Sequence, residues 1–330
     1  MPIPPRAPSW IVPVLCGAVA AAVCGVLLWF PHIVGLGAVT GIAHLQSFRA
    51  PVTAALLLFL ALSFVFGRGM RMTAGFIAVS LVFASISLGV VGVRGGNHLA
   101  AAPTEADSDV RVLSANMYFD HGSIDDVLGG DARGAQIIAL QETHRQTLYD
   151  ALHERGLADD YRIAHRVHFE GEIGTVLAVH RSLSPTEIPA SEVSRGFVGL
   201  GTSLGDVYAV HTHAPIERRV HQRQWQRTVS AASQLCEPGT GALAAGDFNA
   251  TLDHAPFRLH EGCADAARSL RMAGAGTWPS TAPSFIGAQI DHQLYDSAVL
   301  TPTAGKFFSI EGSDHRGMVI DYELTGEHAA

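Results

Sequence analysis

Lysine is nearly absent: Lys306 is the only one in 330 residues. Aspartate and glutamate are missing from residues 1–99, whose formal cations besides the amino terminus are Arg6, Arg49, Arg68, Arg71 and Arg94. No Gly-x-Ser-x-Gly motif, phosphate loop or Cys/His zinc spacing occurs. That argues against nucleophile-elbow hydrolases, P-loop nucleotide hydrolases and zinc modules. There is no basic tract and no aromatic–basic interleaving. A long polyanion is therefore a poor partner, because phosphate neutralisation supplies most non-specific nucleic-acid affinity. Internal repeats and low-complexity tracts are also lacking.

What is present divides unevenly. Five of the 22 Lys and Arg precede residue 100, so residues 100–330 carry 17 cations against all 30 acidic residues, a formal net charge of −13. The 48% hydrophobic content and mean hydropathy of +0.23 average over two unlike parts. An acid-free apolar segment joined to an acidic one predicts a membrane region followed by a soluble domain. Residues 1–93 are expected to hold about three transmembrane helices, at 10–30, 51–67 and 72–93. Residues 31–50 read as a loop or re-entrant piece. A cleaved signal peptide would have a shorter apolar core. Arg6, Arg68 and Arg71 would share one side of the membrane, and Arg49 and Arg94 the other. The positive-inside rule then places the soluble domain outside the cytoplasm. Cys16 and Cys24 read as small apolar residues of the first span. Cys236 and Cys263 are either a disulfide or two buried thiols, and the sequence leaves both open.

Residues 94–108 read as a linker, and 109–325 as the soluble domain. Short β-type runs follow at 109–118, 135–143, 174–180, 205–213, 242–251, 288–296 and 317–324. The segment 216–235 has helical spacing at Val220, Trp225, Val229 and Ala232. This grammar predicts an α/β or α+β sandwich with a single core. Arg218, Arg219, Arg223 and Arg227 recur on the helical segment as a solvated face, with phosphate contact as the alternative.

Polar residues close the apolar strands. Asn116 ends "VLSANMY", Glu142 lies in "LQET", His213 in "VHTHAP", and Asp247 and Asn249 in "GDFNAT". Asp291 lies in "IDH", and Asp314 and His315 in "SDHRG". A strand end lets a rigid core hold a reactive side chain at a sheet rim. Hard oxygen donors such as Glu142 suit Mg²⁺ or Mn²⁺. In this order the set resembles the endonuclease/exonuclease/phosphatase superfamily, which includes deoxyribonucleases, neutral sphingomyelinases and inositol-polyphosphate 5-phosphatases. With its apolar N-terminal region, the chain resembles bacterial membrane-anchored members.

The resemblance implies a four-layer α/β sandwich of two packed mixed sheets flanked by helices. It also implies hydrolysis of a phosphoester with a divalent metal, Mg²⁺ or Mn²⁺. Glu142 would be the principal metal ligand, with Asn116 and Asp314 near the same ion. Asp247 would orient or deprotonate water, Asn249 and His213 would donate to phosphoryl oxygens, and His315, held by Asp291, would be a charged donor or general acid/base. His211 shares a strand face with His213, so the assignment between them stays open. Trp278 reads as core or as a wall beside the substrate. The acidic domain beside a bilayer favours a lipid or small-molecule phosphodiester. Extracytoplasmic nuclease activity is the alternative, and a catalytically silent tethered module is the alternative of a different class.

Overall fold

The computed structural model describes residues 11–29 and 40–48, scattered positions from 51 to 95, and 108–325 apart from 131–132, 169–172, 189–195 and 216–218. The chain separates into two compact units, Met1–Val93 and Arg94–Ala330. In the first, α1 spans Ile11–Trp29 and α2 spans Thr40–Ser47. The expected loop at 31–50 thus contains a helix. Among the described residues, no helix is long and apolar enough to cross a membrane. At ~1.5 Å per residue, α1 extends roughly 28 Å, just short of a ~30 Å hydrocarbon layer. The expected spans at 51–67 and 72–93 lie almost wholly outside the described residues.

The second unit contains β1 (Val110–Asn116), β2 (Ile137–Thr143), β3 (Tyr161–Val167), β4 (Gly174–His180), β5 (Thr186–Glu187) and β6 (Phe197–Gly201). It continues with β7 (Asp206–His211), β8 (Leu243–Asp247), β9 (Cys263–Asp265), β10 (Asp291–Asp296), β11 (Leu300–Ser309) and β12 (Arg316–Leu324). The helices are α3 (Ile124–Leu128), α4 (Arg145–Glu154), α5 (Arg219–Ala232) and α6 (Ala266–Ser269). One sheet runs β11-β12-β1-β2-β4-β3 and the other β5-β6-β7-β8-β10-β9. Each has a parallel pair at its centre, β1–β2 and β7–β8. Parallel neighbours end together, which lines up Asn116 with Gln141 and His211 with Asp247.

Alternation along β1 explains the layers. Val110 and Val112 face the second sheet, packing with Leu200, Val207, Ala209 and Leu243. Leu113 and Ala115 face outward, in a cluster with Leu148 and Leu152 of α4. Trp225, Val229 and Ala232 are the buried stripe of α5, while Arg223 and Arg227 are exposed.

Two polar interactions and a disulfide fasten the domain. Gln293 of β10 donates to the Val112 carbonyl at 3.2 Å and accepts from the Tyr322 hydroxyl at 3.0 Å, joining the sheets. Arg111 and Asp321 pair on adjacent strands, Nε to Oδ1 at 2.7 Å, with side chains 4% and 3% exposed. Cys236 and Cys263 form a disulfide with Cα atoms 6.1 Å apart, which settles the open alternative.

Candidate active site

The carboxyl ends of the central strands meet at one rim. Asn116 ends β1, and its Nδ2 donates to Asp247 Oδ2 at 3.0 Å and to Glu142 Oε1 at 3.4 Å. Its Oδ1, the atom a cation would need, accepts from the Tyr118 N–H at 3.0 Å. Asn116 thus ties the two carboxylates together. Glu142 lies at an irregularity in the β2–β4 pairing and has φ +54°. That conformation is costly for a glutamate and turns its side chain into the rim. The Phe119 N–H donates to Glu142 Oε2 at 3.2 Å.

Asp247 ends β8 and is buried, directly opposite Asp291 of β10. The glycine before it has φ +140°, and a Cβ there would meet the Val210 carbonyl oxygen at 2.2 Å and Gln141 Nε2 at 2.6 Å. Gly246 therefore permits the close approach of β2 and β7 behind the site. Asn249, with φ +46°, donates its Nδ2 to the Thr212 carbonyl at 3.1 Å and to Asp247 Oδ2 at 3.2 Å. In this arrangement it braces Asp247.

His315 precedes β12 and is 5% exposed. Its Nδ1 lies 2.9 Å from Asp291 Oδ2. Its Nε2 lies 3.9 Å from Asp247 Oδ2 and 4.0 Å from Asp314 Oδ1, outside direct hydrogen-bond range. Burial disfavours the imidazolium, but the Asp291 charge and hydrogen bond, with Asp247 and Asp314, push the pKa up to about 10. Burial pushes the Asp247 carboxyl up to about 7, with Asp291 adding to it and His315 opposing. Burial also raises Glu142, against hydrogen bonds from Asn116 and Phe119, and the Asp314 charge adds to the rise.

Oxygen donors suited to a divalent cation are present. Asp314 Oδ1 is buried without a hydrogen-bond partner, while its Oδ2 accepts from the Trp278 indole at 3.0 Å. Asp314 also lies near enough to Glu142 for its charge to act there. Asp247, Asp291 and His315 bring one candidate ligand atom each within 4.8 Å of one another. A protonated imidazole cannot ligate, and Asp291 already holds it. Glu142 and Asp314 are therefore the better pair for a hard cation.

The expected His213 is exposed, and His211 takes the inner position. β7 stops at His211, whose Nε2 lies 3.5 Å from Glu142 Oε1 and 3.9 Å from Asp247 Oδ2. Its buried ring is held neutral, with a pKa pulled down to about 3 by burial and the nearby His168, His315 and His213. His168, whose ring centroid is 6.2 Å from that of His211, extends the row. Asp120 also escaped the sequence reading. It accepts from Thr143 Oγ1, from His144 Nδ1 at 3.0 Å and from Thr147 Oγ1 at 2.8 Å, fixing the loop beside Glu142. Trp278 is neither plain core nor a bare wall, because its indole orients Asp314. Away from the rim, a cleft of about 860 Å³ follows the edge of β3, with Arg145, Arg162 and Arg166 in its lining. None of the predicted site residues lines it.

Two mixed sheets with converging carboxylates, amides and a charged imidazole define a phosphoester hydrolase. Residues 104–315 match the model of the Endonuclease/Exonuclease/phosphatase family, and the chain belongs to that family. Among solved structures, it is similar to an endonuclease/exonuclease/phosphatase from Beutenbergia cavernae, at 18% identity and TM-score 0.50, covering 67% of this chain and 72% of that one. It is also similar to the human Nocturnin catalytic domain, at 16% identity and TM-score 0.44, covering 66% and 94%. A mannosyl-6-phosphatase from Bacteroides thetaiotaomicron matches at 14% identity and TM-score 0.43, covering 65% and 99%. No curated protein matches the sequence.

Proposed function

We propose that this protein is a Mg²⁺- or Mn²⁺-dependent phosphodiesterase acting on a lipid or small-molecule phosphodiester. The observation that carries this reading is His315: Asp291 anchors one ring nitrogen, and among the described residues the other has no anion within hydrogen-bond distance. A phosphoryl oxygen between Asp247 and Asp314 would meet that charged donor. Asp247, with a pKa near neutrality, can accept a proton from an attacking water. Glu142 and Asp314 would hold the cation, which supplies neutralisation of phosphoryl charge. Asn116, Asn249 and His211 keep the carboxylates in place.

The substrate class follows from charge. A domain of net −13 with one lysine is poorly suited to a polyanion. The acid-free N-terminal unit supports membrane attachment, and the disulfide supports an oxidising, extracytoplasmic location. The test is turnover by the full chain of soluble phosphodiesters, phospholipids, inositol phosphates, DNA and RNA, with and without chelator. Glu142→Gln should abolish most metal-dependent turnover while the chain stays folded. Turnover and Mg²⁺ affinity unchanged in that variant would remove Glu142 from the site, and a preference for DNA or RNA would overturn the substrate class.

A further inference from the structure

Two apolar prongs flank the active site and the chemistry uses neither. Tyr118 and Phe119, each 43% exposed, follow Asn116 directly. They and Asp120 form three consecutive non-glycine residues with positive φ, at +46°, +53° and +65°. Such a run is costly for bulky side chains and is held by the Phe119 N–H on Glu142 and the bonds to Asp120. The second prong is Phe285, 73% exposed, with Ile286, 38% exposed. It sits on the segment between Trp278 and Ala288, whose backbones bridge. The Trp278 indole bonds Asp314, and Ser280 bonds the backbone of Ser313 and Asp314. The Ser313 hydroxyl then donates to the Asn116 carbonyl at 2.7 Å. Both prongs are thus fastened to the two sides of one catalytic loop.

Charge selects what meets them. Residues 272–290 contain no charged residue and no histidine, nor do residues 112–119. Arg316, the nearest guanidinium in the chain to the catalytic loop, is occupied by the carbonyls of Gly276, Ser280 and Ala282. Aromatics that stack on nucleic-acid bases come with cations tracking the phosphates, and neither of these two segments carries one. Exposed aromatics and aliphatics on uncharged segments suit the boundary between lipid headgroups and acyl chains.

We propose that Tyr118, Phe119, Phe285 and Ile286 dock the active site onto an uncharged lipid interface, from which a phosphodiester headgroup reaches His315. This rests on the phosphodiesterase reading for the catalytic step, but docking can be measured without turnover. The full chain is mixed with vesicles of brominated phosphatidylcholine, using Phe285→Trp as the probe. The added indole emission should be quenched well beyond that of the wild-type chain. Separately, the ratio of vesicle-borne to soluble bis(p-nitrophenyl) phosphate turnover is compared for wild type and Phe285→Ser. Loss of one inserted aromatic should lower that ratio roughly tenfold. Unquenched emission with an unchanged ratio overturns the docking proposal. So does protection of the probe by a single-stranded oligonucleotide in place of vesicles, which would assign the rim to base stacking. No turnover of either ester defeats the enzymatic reading, while the quenching result still decides the docking.

Discussion

Asp291→Asn isolates the charge that sustains His315. Asparagine keeps the size of the side chain and an oxygen for the Nδ1–H, so the ring should stay in place. What disappears is the carboxylate that, after burial, has the largest effect on the imidazole. The rise from 6.5 to about 10 corresponds to about 5 kcal/mol between the two protonation states. Without Asp291, burial dominates and the pKa should fall to about 6.5 or below. At about pH 8 only roughly 3% of the rings would then carry the proton, a roughly thirtyfold loss of the charged donor. The wild-type imidazolium should persist from about pH 6 to beyond pH 9 at this pKa. The assay is hydrolysis of a soluble phosphodiester across this range, with the His315 ring titrated by NMR. The variant should retain turnover near pH 6 and lose it on the alkaline side, through a limb the wild type lacks. Parallel pH profiles with an unshifted ring titration would refute the argument that Asp291 acts through charge. His315→Ala should cost roughly two to four orders of magnitude and make a second change at Asp291 nearly silent, because both act through one ring.

Arg111→Met strands Asp321 in the core and should cost about 3–5 kcal/mol in urea unfolding, most of it recovered by adding Asp321→Leu. A cost below about 1 kcal/mol would show that the pair is hydrated. Acid should act through His168 and His211, whose folded pKa values are pulled down to about 4 and about 3, first by burial. The unfolded chain binds these protons near 6.5, so stability present above that pH is lost as pH falls toward 4. Asp247, with a raised pKa, contributes in the opposite direction, so the readout is a difference: His168→Asn should show a smaller fall in urea midpoint between pH 7 and pH 5 than wild type. An equal fall would place His168 in solvent.

The central strands were legible in the sequence because they are buried on both faces. "VRVLSAN", "IIALQET" and "LAAGD" leave little room for any other reading, and Asn116, Glu142 and Asp247, at or next to their ends, are the candidate site residues. The edges were not. β3 reads Tyr-Arg-Ile-Ala-His-Arg-Val, with arginines on the face toward the other sheet, as an edge strand tolerates and a central strand does not. β11 carries Pro302 and Gly305, both poor strand signals, and the pairing slips between Pro302 and Ala304. Alternation puts His211 and His213 on the same face, and the structure brings His211 rather than the expected His213 beside Glu142. Only the end of β7 decides which of them meets Glu142. Asp120 was hidden because its partners Thr143, His144 and Thr147 become neighbours only once β1 and β2 pair.

Arg316 ties its guanidinium to carbonyls from residues 276 to 282, and its backbone N–H to Thr277. The residue after His315 therefore clamps the loop that bears Phe285. These segments should open and close as one cooperative unit rather than fray in turn. Their amide hydrogens should exchange at a common rate, set by one opening event. A slow substrate could not wait for this loop to swing aside like a hinged cover. A fluorophore at the tip of the loop would then report, from the surface, whether the Asp291–His315 pair beneath it is still assembled.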